Sequence, residues 1–222
     1  MVYGKLIFML NISNVTKLIN GEPLFENASV QIYKGEKVGL VGQNGSGKST
    51  LFRLIIKEDL PDSGAISLPE TCRISYFSQS VGEMRGRTAL EEVVLGDNKI
   101  AVLKTKLKEF EDMMLEYEKY SENEMEEILM KMGDVQTDFE KRGGYDLETR
   151  AEEILTGLGI LPDQHHQQVE DFSGGWKMRI ALAKVLVTNP DIILMDEPTN
   201  YLDLETILWL EEWLQKFEGA VF

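Results

Sequence analysis

The densest chemistry in this 222-residue sequence lies in Gly42-Gln43-Asn44-Gly45-Ser46-Gly47-Lys48-Ser49-Thr50, which fits the spacing G-x-x-x-x-G-K-[ST]. Glycines without a Cβ let main-chain amides turn inward and approach an anion closely. A helix that starts on such a loop points its positive end at the same anion. Lys48 then adds a full positive charge for the outer phosphates of a phosphate chain, and the Ser49 hydroxyl can ligate Mg²⁺. A chance glycine-rich turn would match the pattern too, so the flanking elements decide. Lys37–Val41 reads as a short buried strand ahead of the loop. Leu51, Leu54 and Ile55 read as a helix behind it.

A second acidic element completes the first. The apolar run Asp191–Met195 ends in Asp196 and Glu197, and the carboxyl ends of strands are where open α/β sheets hold ligands. Asp196 is placed to hold Mg²⁺ through water, and Glu197 to orient and deprotonate an attacking water. Alone, an acidic pair after a strand is an ordinary helix cap. Next to the glycine loop it is the other half of a phosphate site.

The elements that must position these groups are legible in outline. Leu10–Val15 and Ala28–Ile32 read as strands separated by a polar segment with Asn20-Gly21 and Pro23, and further short strands read at Ala65–Leu68 and Arg73–Phe77. Between about Asn98 and Arg142 the sequence turns rich in Glu, Lys, Met and Leu. Ile100, Leu103, Leu107, Phe110, Met114 and Tyr117 recur in steps of three and four, as in a coiled-coil seam. Ser121 and Glu124 match a capping box, and Met125, Ile128, Met132, Val135 and Phe139 repeat the spacing. An antiparallel helical hairpin closed by Gly143-Gly144 is expected. A short helix carries Leu155 and Leu158. Ser173-Gly174-Gly175 opens a helix running to about Val187, and Leu204–Phe217 is an amphipathic helix. His165 and His166, on a glutamine-rich loop, read as solvated rather than as ligands, since a zinc site needs about four ligands and none accompany them.

Bulk properties exclude several classes. A net charge of −15 opposes a nucleic-acid-coating role for this segment. One cysteine, Cys72, permits no internal disulfide and suits a reducing compartment such as the cytoplasm. No apolar run approaches the roughly 20 residues that span a bilayer.

Residues between the two halves narrow the field. Phe172-Ser173-Gly174-Gly175-Trp176 resembles the ABC signature, Gln79 after a strand resembles the Q-loop, and Asp196-Glu197-Pro198-Thr199-Asn200-Tyr201-Leu202-Asp203 resembles Walker B running into the D-loop. The order matches the ABC ATPase superfamily, and the D-loop spelling looks like the soluble ABC-F family rather than transporter subunits. The resemblance runs from about Leu10 to the end, with the hairpin its least matched part.

It implies an α/β P-loop domain with an antiparallel β subdomain and an inserted helical hairpin: residues 1–96 as β subdomain and Walker A core, 97–171 as helical subdomain, and 172–222 as signature and Walker B core. It implies ATP and Mg²⁺ held by the loop from Gly42 to Thr50, with Gln79 and Asp196 facing the metal and Gln79 and Glu197 catalytic. Ser173, Gly174 and Gly175 would face a nucleotide on a second ABC domain, in the same longer chain or in a second copy. Family members act in the cytosol, many on the ribosome, in translation or in relief of antibiotic arrest.

The resemblance also implies that the chain, the first of two such domains, stops before the family's switch histidine and is weak in hydrolysis. The usual adenine-stacking aromatic is missing from Val15–Leu24; Leu18 or Ile19 could pack the base, or Phe25 could reach it. Tyr201 stands where histidine is frequent, and Trp176 where transporters usually carry glutamine. The rival reading is the ATPase subunit of a transporter with separate membrane chains.

Overall fold

The computed structural model describes residues 8–78 and 82–222, so Gln79 lies outside the described residues. Two three-stranded sheets organise the chain. In the antiparallel one, β1 (Phe8–Ile19) lies between β2 (Glu22–Tyr33) and β3 (Ser63–Ser67). The first two strands run longer than their apolar cores suggest, because Asn20 and Gly21 both take positive φ, 53° and 84°. That two-residue turn suits the right-handed twist of a hairpin and lets pairing start at Ile19 and Glu22.

The second sheet is parallel, in the order β4 (Ile74–Phe77), β5 (Ile192–Met195), β6 (Ala220–Val221). All four residues of β5 are buried. Their alternation sorts them into two cores: Ile192 and Leu194 pack with β1 and α1 (Lys48–Ile55), and Ile193 and Met195 pack with the helices. Each such aliphatic side chain contributes about 1.5–3 kcal/mol on burial. The strand is therefore a fixed post, and Asp196 follows at its carboxyl end.

The helical side holds α2 (Ala89–Val94), α3 (Asn98–Leu115), α4 (Glu122–Lys141), α5 (Leu147–Gly157), α6 (Gly174–Val187) and α7 (Leu204–Lys216). α3 and α4 form the antiparallel hairpin, and the Ser121–Glu124 capping box is present. Met125, Ile128, Met132, Val135 and Phe139 all turn inward. On α3 the inward set is Ile100, Leu103, Leu107 and Phe110, but then Met113 replaces Met114, and Tyr117 is exposed. A straight helix drifts about 20° per heptad from a 3.5-residue seam, so the pattern slips after two heptads.

Two further expectations are corrected. Lys37–Val41 is not a buried strand. Lys37 makes one parallel bridge with Val221, Val38 donates to the Val221 carbonyl at 2.8 Å, and the chain then leaves the ladder with Val41 96% exposed. After Val38 no residue up to Val41 joins a sheet among the described residues, and Leu40 is 37% exposed. His165 is buried, not solvated: its Nε2 lies 3.0 Å from the Ile160 carbonyl, while His166 is exposed. Their loop is pinned to α2 by bonds from Ala89 and Leu90 to the Gln167 and His165 carbonyls. No described helix is long and apolar enough to cross a membrane.

Candidate functional site

The loop between Val38 and α1 is shaped by its glycines at two points. Gly47, the residue before the helix, has φ 96°, and a Cβ there would come within 2.9 Å of Leu24 and Phe25. Gly45 has φ 83°. Intrahelical bonding begins with the Leu51 amide to the Gly47 carbonyl at 2.9 Å, which leaves the amides of Lys48, Ser49 and Thr50 outside the ladder at the helix's positive end. Gly42 to Ser46 are solvent-exposed, as is Ser49. Thr50 is different: its side chain is buried and its hydroxyl accepts from Arg53 at 3.3 Å, so what it offers the loop is main chain.

Lys48 folds back over this loop. Its Nζ donates to the Gly42 carbonyl at 2.8 Å and the Gln43 carbonyl at 3.3 Å, and stands 3.7 Å from Glu197 Oε1. The amine thus bridges the glycine loop and the acidic strand end, and phosphate oxygens can replace those carbonyls as its acceptors. Asp196 is 3% exposed, with its amide bonded to the Phe77 carbonyl at 3.0 Å. Burial first, and the Asp196 carboxylate second, push the Tyr76 phenol up from its ordinary range.

Glu197 has φ 51°, a left-handed conformation that costs a non-glycine residue about 1–3 kcal/mol and persists where neighbours over-determine it. The neighbour is Asn200, whose amide nitrogen donates to Glu197 Oε2 at 2.8 Å and whose main-chain N–H donates to the Glu197 carbonyl at 3.3 Å. The carboxylate is held toward Lys48 at the cost of backbone strain.

The Ser49 hydroxyl and Asp196 carboxylate are hard oxygen donors of the kind Mg²⁺ takes, leaving its other positions to phosphate and water. Among the described residues no cluster of three acidic, histidine or cysteine side chains could hold a metal without such help. These donors fit a cation that arrives with a phosphate ligand.

Ser173 caps α6 in extended conformation, and its side chain makes no capping bond. Ser173 and Gly174 are exposed, and nothing lies within 4 Å of a Cβ built on Gly174 or Gly175. An exposed hydroxyl, free amides and a helix dipole face outward together, away from the packed body of the domain. Of the three base-packing candidates, Phe25 is the one against the loop, with Leu24 beside it; Leu18 and Ile19 are 37% and 49% exposed.

Sequence reasoning did not single out Asn200, Leu24 or Arg179 for any role. Arg179 lies in the helix expected from Ser173 to about Val187, and nothing in its spacing signals that it is buried.

Residues 25–200 match the ABC transporter family model. The probable ATP-binding protein YheS of Haemophilus influenzae is 36% identical over 96% of this chain, which spans 31% of that protein. The probable ATP-binding protein YbiT of Escherichia coli O157:H7 is 37% identical over 96% of the chain and 39% of its own length. The chain therefore spans about a third of these curated relatives. A solved structure described as the ATP binding subunit of an ABC transporter superposes with TM-score 0.67 at 21% identity, over 96% of this chain and 78% of that one, a likeness of fold.

Proposed function

The chain belongs to the ABC ATPase family and sits with its ABC-F-type members, and on that premise we propose that it binds Mg-ATP and hydrolyses it when paired with a second ABC domain. The observation that carries the reading is Lys48, anchored on the Gly42 and Gln43 carbonyls and 3.7 Å from Glu197. Lys48 and the amides from Gly45 to Thr50 bind the phosphate chain. Ser49 and Asp196 would hold Mg²⁺, which would supply charge neutralisation of the phosphates, with Gln79 assigned to the same metal on the family resemblance alone. Glu197, aimed by Asn200, accepts a proton from water. Phe25 and Leu24 form the apolar wall for the base.

Ser173, Gly174 and Gly175 serve the nucleotide of the partner domain, which lies on the same longer chain or on a second copy. Their outward orientation supports this part of the reading, because a helix start with nothing packed over it has no ligand within its own domain.

The physiological role of the longer protein is a cytoplasmic one, coupling ATP binding and hydrolysis to translation on the ribosome or to antibiotic resistance by ribosome protection. The D-loop spelling and the long hairpin support an ABC-F role over that of a transporter subunit.

Titration of the chain with a fluorescent Mg-ATP analogue tests the site. Lys48→Ala is expected to abolish saturable binding and Glu197→Gln to retain it, and in the longer protein Glu197→Gln is expected to lose about 10²–10⁴-fold in turnover. Undiminished affinity in Lys48→Ala would overturn the assignment. Co-sedimentation of a Glu197→Gln form of the longer protein with ribosomes, with and without ATP, tests the role; indifference to ATP would remove it.

A further inference from the structure

One buried charge has no task in the site just described. Arg179 sits in the second turn of α6, 9% exposed, among packed apolar side chains. Its guanidinium makes four hydrogen bonds to other elements. Nε donates to the Tyr201 carbonyl at 3.2 Å, one terminal nitrogen to the Leu158 carbonyl at 3.0 Å and the Thr206 hydroxyl at 3.2 Å, and the other to Asp203 Oδ2 at 2.9 Å. Its face lies over the Trp176 ring, 4.6 Å from the centroid. Burying a guanidinium is costly unless its donors are met, so this arrangement fixes geometry more than it adds stability.

What it fixes is specific. Two of the four bonds, to Tyr201 and Asp203, end on the segment that runs on from Asp196 and Glu197. That segment is stiff: Asn200 bonds Glu197 twice, and the Leu202 amide closes a turn on the Thr199 carbonyl at 3.2 Å. At the other end, Trp176 follows Gly175 directly in the first turn of α6. Contacts therefore run without a gap from Lys48 through Glu197, Asn200, the 199–202 turn and Asp203 to Arg179, Trp176 and the exposed start of α6.

We propose that Arg179 is a positioning residue that ties the segment after Glu197 to the start of α6, so that nucleotide bound at Lys48 and Asp196 is felt at Ser173, Gly174 and Gly175 of the same chain. The inference rests on the nucleotide site proposed above and assigns it a route to the surface offered to the partner. Nucleotide at Lys48 would then be sensed at the surface this chain offers to the nucleotide of its partner. Linkage makes the effect reciprocal: engagement of the α6 start would alter affinity at Lys48 by the same factor. A continuous line of contacts is not itself coupling, so the measurement must read both ends.

Trp176 provides the reporter. In a Trp209→Phe, Trp213→Phe background the remaining tryptophan sits on Arg179, and its emission is expected to shift on saturation with Mg-ATP. Asp203→Asn removes the ion pair from an exposed carboxylate, and asparagine caps a helix as well as aspartate does, so the fold is retained. In that variant the affinity for a fluorescent Mg-ATP analogue is expected to stay at the parent value and the Trp176 shift to be lost. Arg179→Lys keeps the charge without the fork, and the same loss is expected. A residue that merely staples the fold would lower the urea midpoint and leave the Trp176 response at its parent size; that result overturns the proposal. So does a parent that binds nucleotide with no Trp176 response. Failure of the site itself reads differently, as saturable binding that survives Lys48→Ala.

Discussion

At the scale of single residues, the phosphate loop depends on a position that tolerates no side chain. Gly47 combines φ 96° with Leu24 and Phe25 at 2.9 Å from any added Cβ. A Gly47→Ala change therefore meets backbone strain and overpacking together, each about 1–3 kcal/mol. The strain is local to the loop and the start of α1, so nucleotide affinity should fall more steeply than global stability. Paired titrations of a Mg-ATP analogue and of urea check this, and a variant that loses stability with unaltered affinity would refute it. Gly45→Ala is the useful control. It carries φ 83° but has nothing within 4 Å of its Cβ, so strain acts there without crowding.

At the scale of elements, capping and packing make separable predictions. The Ser121 hydroxyl accepts from the Glu124 amide, and the Glu124 carboxylate accepts from the Ser121 amide at 2.8 Å. Ser121→Ala should cost about 1 kcal/mol, read as a lower urea midpoint with unchanged slope. Gly157 is a harsher case. A Cβ there would overlap the Trp209 indole, which joins α5 to α7, so Gly157→Ala should cost about 1–3 kcal/mol and displace that ring, visible in near-ultraviolet circular dichroism.

The two positions also mark what a sequence can carry. The capping box was readable because its partners lie three residues apart and the chemistry is local. The same holds for the start of α6 at Ser173 and for the Asn20-Gly21 turn. Gly157 was silent, because its meaning is a ring 52 residues away in the sequence. Lys37–Val41 was misread for a related reason: β-forming residues make a strand only where a neighbour pairs with them, and among the described residues the pairing with β6 reaches no further than Val38. The glycine loop and acidic strand end were legible because their residue types have few other uses at that spacing. The guanidinium at Arg179 was not, since an arginine in a helix usually faces solvent.

At the scale of the whole molecule, stability against pH follows from groups spread over every element. Asp203 is held well below the usual carboxylate range by the Thr206 amide and then by Arg179. Asp59 is lowered chiefly by its hydrogen bond from Lys17, and Glu91, Glu124 and Glu170 by the amides of Thr88, Ser121 and Gly86. A carboxyl depressed in the fold binds its proton more readily once unfolded. Its contribution is complete above the unfolded values of about 4–4.5 and is lost as pH falls through the folded ones. Cys72 and Tyr76 act oppositely. Burial raises both, so the fold favours their neutral forms, and that contribution is complete below their unfolded values, 9.0 and 10.0, and lost above them.

The urea midpoint should therefore be flat from about pH 6 to 8, fall below about pH 4.5, and fall again on the alkaline side of about pH 9. The acid limb rests on solvent-exposed carboxylates, so salt should flatten it, because screening weakens exposed charge pairs. The part of the alkaline limb carried by Cys72 and Tyr76 rests first on burial and should persist in salt, whereas the part from exposed Lys119, raised by its bond to Glu116, should weaken. Asp203→Asn removes one acid-limb group while keeping its cap, so it should shallow that limb and leave the alkaline one in place. An acid limb that keeps its full slope in both high salt and Asp203→Asn would place the titrating groups elsewhere in the fold.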